Sequence, residues 1–234
     1  MLKRSLITLA CLTSLTSLTS LSLIPLTASA NSDDTQDPIF GVYFGAMGGI
    51  NKLDLTTGTQ SRTVAPETYD FTTDKNRFAG NLHIGNLWGL DEDNTFGAGI
   101  ELGATYWGNF DFNGANTTTG NMGFDQETLN ILMDLQWNIT QQFFIMPQFG
   151  VAFNVGNSSG DLTVNSTTAA AATRHKADPL VGLNIGFNAT PSLSVYLSGE
   201  RLMGDSFDQS YVNFDQRMLE STAVFIGINY DIGP

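Results

Sequence analysis

The segment Ser221 to Ile232, STAVFIGINYDI, constrains the rest of the chain more than any other. Val224, Ile226, Ile228, Tyr230 and Ile232 recur at every second position, and Ala223, Phe225, Gly227, Asn229 and Asp231 fill the alternate ones. A period of two puts successive side chains on opposite faces of a strand, whereas a helix repeats at about 3.6. One face carries large apolar groups and the other mostly small or polar ones. The bulky face therefore meets something oily and the small face something cramped or wet, which is the situation of a strand in a closed membrane-spanning barrel.

Seven further segments alternate in the same way. In Ile39 to Lys52, Phe40, Val42, Phe44 and Ala46 are predicted outward, and Gly41, Tyr43, Gly45, Met47 and Gly49 inward. Arg77 to Trp88 sets Phe78, Leu82, Ile84 and Trp88 against Ala79, Asn81, His83 and Gly85. Phe96 to Tyr106 sets Ile100 and Leu102 against Gly97, Gly99, Glu101 and Gly103. Leu129 to Ile139 sets Ile131, Met133, Leu135 and Trp137 against Asn130, Asp134 and Gln136, with Leu132 an apolar intruder. Residues 143–155, 180–189 and 193–202 complete the set, and Pro147, which has no N–H to give a ladder, predicts a bulge or a rim position.

The connections at 53–76, 109–124, 157–177 and 203–218 are long and polar, while those at 89–94, 140–142 and 190–192 are short. Strict alternation of long and short predicts an all-β fold: an eight-stranded antiparallel up-and-down transmembrane β-barrel over residues 31–234, with long loops outside and both termini periplasmic. A soluble sandwich or lipocalin-like barrel would put its bulky residues inside and its charges outside.

Lys3 and Arg4 precede an apolar and hydroxyl run, Leu6 to Leu26, which closes on Ala28-Ser29-Ala30. This reads as a signal peptide over residues 1–30, cleaved before Asn31. The only cysteine, Cys11, leaves with it, so neither a disulfide framework nor a cysteine metal site is expected. Cleavage removes two basic residues and no acid, so the mature chain is more acidic than the −13 of the whole, which argues against nucleic acid as a partner. Only 14% of residues are charged, yet no later apolar run is long enough for a membrane helix, a combination that spreads hydrophobicity over alternate positions.

The opening GVYFGAMGG, the GAGIELGATYW around Glu101 and the closing GINYDI resemble the eight-stranded bacterial outer-membrane barrels, a family that includes the opacity-type surface proteins and the membrane domain of outer membrane protein A. The resemblance implies residence in the Gram-negative outer membrane, in contact with its lipid and lipopolysaccharide. It also implies a C-terminal sorting strand read by the barrel-assembly machinery, with Gly227, Tyr230 and Ile232 at the motif positions and Gly233-Pro234 following where relatives end on an aromatic. Function in this family ranges widely. The expectation is a non-enzymatic surface protein acting through long extracellular loops in adhesion, surface interaction or envelope structure, with no cofactor.

Two alternatives are weighed against it. Inward glycines at 41, 45, 49, 97, 99, 103, 182 and 186 would leave lumen space for a small-solute channel. A lipid A-modifying enzyme would need a histidine beside a serine or carboxylate. The lipid A deacylases carry a His-x-Ser pair, but here the sequences are His83-Ile84-Gly85 and His175-Lys176-Ala177.

Two groups of residues remain as candidate sites. His83, Glu101 and Asp134 all fall near mid-height facing inward, and His83 is expected to pair with Glu101, extended by Asp134. Such a cluster is either a hydrogen-bonded plug or a proton-linked or metal-binding lumen site. Lys52, Arg77, Arg201 and Arg217 fall at the loop end, where lipopolysaccharide phosphates would meet them. Asp91-Glu92-Asp93, at the opposite end, reads as a plain acidic turn.

Overall fold

The computed structural model of the protein describes residues 40–54, 60–64, 67–74, 76–165, 167–170, 177–204 and 220–233. The signal segment at 1–30, His175 and Arg217 lie outside them. The described residues form β1 (Val42–Leu53), β2 (Gln60–Val64), β3 (Glu67–Thr73), β4 (Asn76–Gly89), β5 (Phe96–Gly114), β6 (Thr119–Asn138), β7 (Phe143–Asn154), β8 (Ser158–Val164), β9 (Thr167–Ala170), β10 (Ala177–Thr190), β11 (Leu193–Leu202) and β12 (Ser221–Gly233). Eight of these close a barrel in the order β1, β4, β5, β6, β7, β10, β11, β12 and back to β1, every pair antiparallel. β12, the alternating segment at the C-terminus, pairs with β1 from Leu53↔Ser221 to Val42↔Gly233 and completes the ring.

The faces fall as the alternation predicts. Phe44, Ile84, Ile100, Leu102, Ile131, Leu135, Ile185, Leu197 and Ile226 are exposed, while Tyr43, Met47, Asn81, His83, Glu101, Asp134, Gln148, Tyr196 and Phe225 are buried. On β5 the outward apolar run extends from Phe96 to Tyr106. At about 3.3 Å per residue and a tilt of about 40° this makes a belt about 25 Å tall, the height of a bilayer's hydrocarbon layer. Outward aromatics collect at its short-turn edge, where Phe44 meets Tyr230 at 5.6 Å, Phe96 stacks on Trp137 at 6.1 Å and Phe143 meets Phe187 at 5.1 Å. Such girdles sit at the membrane–water boundary. The turn there is held by Asp91, whose Oδ1 accepts the Phe96 N–H at 3.0 Å, so the acidic run 91–93 contributes a turn.

Three sequence expectations are corrected. Phe40 does not share the outward face: Gly41, at a φ of 146°, breaks the alternation ahead of β1, and the Phe40 ring turns inward against Gly97. Pro147 lies within β7 with no register shift around it; the β6–β7 ladder instead omits the pairs between Asp134↔Gln148 and Trp137↔Ile145. The stretch 109–124 is not a loop either. β5 and β6 run on past the belt, paired as far as Asn113↔Asn121, and turn at 115–118. The outward residues change to Asn109, Asp111, Asp125 and Glu127 at that level, so this part of the sheet stands in water.

The continuation has its own core. At Gly108, with φ at 119°, the register shifts and the parity reverses, so Trp107 and then Phe110 and Phe112 all face inward; a Cβ there would be strained and would press on Arg77. β3 adds to β5 (Phe71↔Gly114 to Thr73↔Phe112), and β8 adds to β6 (Thr119↔Thr163 to Phe124↔Ser158). β2 and β9 extend these into two hairpins that the polar composition of 53–76 and 157–177 concealed. Phe71, Phe110, Phe112, Met122 and Val164 are buried, with the Phe112 ring 5.3 Å from Phe71 and 5.2 Å from Phe124. The tip is tied to β3 by the Ala115 N–H to the Asp70 carbonyl at 2.9 Å and the Asp70 N–H to Thr118 Oγ1 at 2.8 Å.

Candidate functional site: the lumen and the loop end

Inside the belt the glycines and the rings are partners. Tyr43 stands directly across from Gly85, His83 from Gly45, Phe144 from Gly186 and Tyr196 from Gly227. A Cβ on any of these glycines would fall on the facing ring. Of the glycines that suggested a pore, Gly45 and Gly186 thus make room for facing rings and Gly97 for Phe40, whereas Gly49 and Gly99 lie against the backbone carbonyls of Val224 and Asn86. Toward the loop end, Met47, Leu132, Trp107 and Phe225 are buried in the same core, and Trp107 Nε1 donates to Thr128 Oγ1 at 2.8 Å. An eight-stranded barrel has an interior that side chains can just fill. Planar-bilayer recordings of the refolded barrel are accordingly expected to show no stable single-channel steps, and removal of both rings (Tyr43→Ala with Tyr196→Ala) to produce them. Steps from the unaltered barrel in independently refolded preparations would overturn the sealed lumen.

At mid-height the three predicted residues come together, but through intermediaries. The Tyr43 hydroxyl bridges the carboxylates, 3.0 Å from Glu101 Oε2 and 2.9 Å from Asp134 Oδ2. Gln148 Nε2 donates to Asp134 Oδ1 at 2.8 Å, and Asn184 Nδ2 donates to Gln148 Oε1 at 3.0 Å. His83 is not hydrogen-bonded to Glu101, whose Oε2 is 3.9 Å from Nε2. Its ring nitrogens instead meet Asn81 Oδ1 and Asn229 Oδ1, each at 2.7 Å, with the Tyr196 hydroxyl 3.2 Å from Nε2. The expected pair is thus replaced by two carboxamides, because Gly45 lets the ring lie between β4 and β12. Tyr43 and Asn229 are the members of this cluster that the sequence did not connect, since only the pairing of β1 with both β4 and β12 brings them to His83 and Glu101. None of the hydrogen-bond partners of His83 is a serine hydroxyl or a carboxylate, the pairing that acyl transfer needs. Among the described residues no three His, Cys, Asp or Glu side chains are placed to hold a metal ion.

The described basic residues of the loop end are largely engaged by acids. Arg201 donates to Asp54 Oδ2 at 3.1 Å and to Glu220. Arg77 donates to the Asn109 carbonyl at 2.6 Å and to Asp74 Oδ2 at 3.3 Å, and Lys52 is exposed. Both arginines therefore stitch neighbouring segments at the belt's outer edge.

A closed eight-stranded antiparallel barrel with an apolar belt, an aromatic girdle and a filled interior is an outer-membrane β-barrel in architecture. Solved structures of that architecture align with nearly their whole length. They include the outer membrane protein OprG from Pseudomonas aeruginosa (11% identity, TM-score 0.48, 84% of this chain and 98% of that one). The attachment invasion locus protein Ail of Yersinia pestis aligns at 13% identity and TM-score 0.42, over 82% of this chain and 99% of that one. The outer membrane protease OmpT from Escherichia coli aligns at 10% identity and TM-score 0.40, over 81% and 96%. No protein-family model matches the chain, and no curated protein sequence does.

Proposed function

We propose that the protein is a non-enzymatic surface barrel of the Gram-negative outer membrane, acting through the raised sheet at its loop end, with the lumen serving as a sealed plug. The observation that carries this reading is the β5–β6 extension beyond the belt, buttressed by β3 on one side and β8 on the other around Phe71, Phe110 and Phe112. A chain whose only task was to span the membrane would have no need of a second core outside it. In this reading the raised sheet faces outward and the termini lie in the periplasm, which the even strand number and the short turns at the opposite end support. Its partner is a host or surface ligand, and OmpT's protease activity is not carried over to this chain. The His83, Glu101 and Asp134 cluster holds the plug together.

In this reading Lys52, Arg77 and Arg201, joined by Arg217, touch lipopolysaccharide phosphates at the outer leaflet, and Gly227, Tyr230 and Ile232 on β12 are read by the barrel-assembly machinery during insertion. The test replaces residues 109–125 by a tight two-residue turn and compares cells carrying either form, or neither, in binding to cultured host cells, serum proteins and phage. The shortened barrel is expected to insert and keep its heat-dependent shift in gel mobility while binding falls to the level of cells without the protein. Binding that is the same in all three would overturn the proposal.

A further inference from the structure

We propose that the lumen holds a small hard cation at Glu200, on the loop side of the Tyr43-bridged carboxylates. Glu200 faces inward from β11 and is only 2% exposed. Its neighbours across the ladders are Gly182 on β10 and Ala223 on β12. The missing side chain at Gly182 lets Glu200 and Gln148 pack against the β10 backbone: a Cβ there would stand 3.4 Å from Glu200 Cγ and 3.2 Å from Gln148 Oε1. Neither carboxylate oxygen of Glu200 has a hydrogen-bond partner among the described residues. The same is true of Ser198 Oγ and Asn184 Oδ1, which form the next inward-facing register pair on the same two strands. Glu101 and Asp134 contrast with this, since both are met by Tyr43 and Gln148.

The charge arithmetic points the same way. Glu101, Asp134 and Glu200 are all buried, Glu101 and Glu200 feel one another electrostatically, and among the described residues His83 is the one group of cationic capacity beside them. Lys52, Arg77 and Arg201 lie at the outer rim, not in the lumen. An isolated buried carboxylate is costly unless a counter-charge is supplied. A carboxylate with hydroxyl and carboxamide oxygens is the ligand set of Na⁺ or Ca²⁺, and it lacks the thiolate or imidazole that a softer metal takes. One carboxylate suits a monovalent ion, and the nearby charge of Glu101 adds attraction for a divalent one.

The experiment is urea unfolding of the mature barrel in phosphatidylcholine vesicles free of lipopolysaccharide, in Na⁺, in Ca²⁺, or in the bulky cation N-methylglucamine with EDTA, at matched ionic strength. The midpoint is expected to rise saturably with Na⁺ or Ca²⁺, whichever fits. Glu200→Gln is expected to unfold at one midpoint in all three media, no lower than the unaltered protein in N-methylglucamine. Ser198→Ala, a milder change that keeps the proposal testable if Glu200→Gln does not fold, should weaken half-saturation by about tenfold or more. A midpoint independent of the cation, or a dependence that survives Glu200→Gln, would overturn the proposal. So would an infrared band of a protonated carboxyl that persists at the highest cation concentration and vanishes in Glu200→Gln, because a proton would then be the counter-charge.

Discussion

Arginine at Leu102 or Ile131 is expected to destabilise the folded barrel by about 2–4 kcal/mol in equilibrium unfolding from lipid vesicles, the range for a basic side chain on the lipid face near the bilayer midplane. The two residues are register partners on β5 and β6, both exposed, and both lie within the apolar belt. No water or anion is at hand there for the guanidinium, which would have to snorkel to an edge or thin the bilayer. The adjacent inward residue supplies the control. Asn130 is buried and donates to Thr105 Oγ1 at 2.6 Å, so Asn130→Ala loses one hydrogen bond, about 1 kcal/mol. Equal costs at Ile131 and Asn130 would mean that the lipid-facing and lumen-facing sets are exchanged.

The large difference between adjacent positions also explains why the barrel was legible in the sequence. With lipid on one side and a narrow lumen on the other, every residue from Leu129 to Ile139 answers to one face or the other, and a period of two survives with Leu132 as the one apolar residue facing inward. Above the belt water lies outside the sheet, and the pattern weakens. Asn109, Asp111 and Asn113 on β5 and Asn121, Gly123 and Asp125 on β6 are the outward residues of a sheet whose inward ones are Phe110, Phe112 and Met122. In the sequence this reads as a polar stretch with scattered aromatics, and the parity reversal at Gly108 breaks the one run that would have revealed it. The sequence named His83, Glu101 and Asp134 in the lumen cluster, but not Asn229 and not the bonds among them. Facing follows from parity within a strand, whereas the link from His83 to Asn229 depends on which strands the closure brings together. The inward glycines were ambiguous for a related reason: a glycine leaves room without saying for what, and cross-strand register shows that at Gly45 and Gly186 the occupant is a ring from the facing residue.

That distinction separates three glycine substitutions that sequence alone would rank together. A Cβ at Gly150 would run into the backbone carbonyl of Ile131 on β6, which cannot swing aside as a side chain can. Gly150→Ala should therefore force β6 and β7 apart beside the segment where Pro147 already leaves the ladder incomplete, and cost about 3 kcal/mol or more. At Gly85 the Cβ meets the Tyr43 ring. Gly85→Ala should cost about 1–3 kcal/mol, because the ring has to shift and its bridge between Glu101 and Asp134 is strained or lost. Gly199 faces outward from β11 with nothing within 4 Å of its Cβ position, so Gly199→Ala should be neutral or slightly stabilising. The three are compared by urea unfolding in the same vesicles, with the boiled and unboiled gel mobilities as a check on closure. The expected order of cost is Gly150, then Gly85, then Gly199. Gly150→Ala falling level with Gly199→Ala would show that β6 and β7 do not approach as closely as the barrel's closure requires.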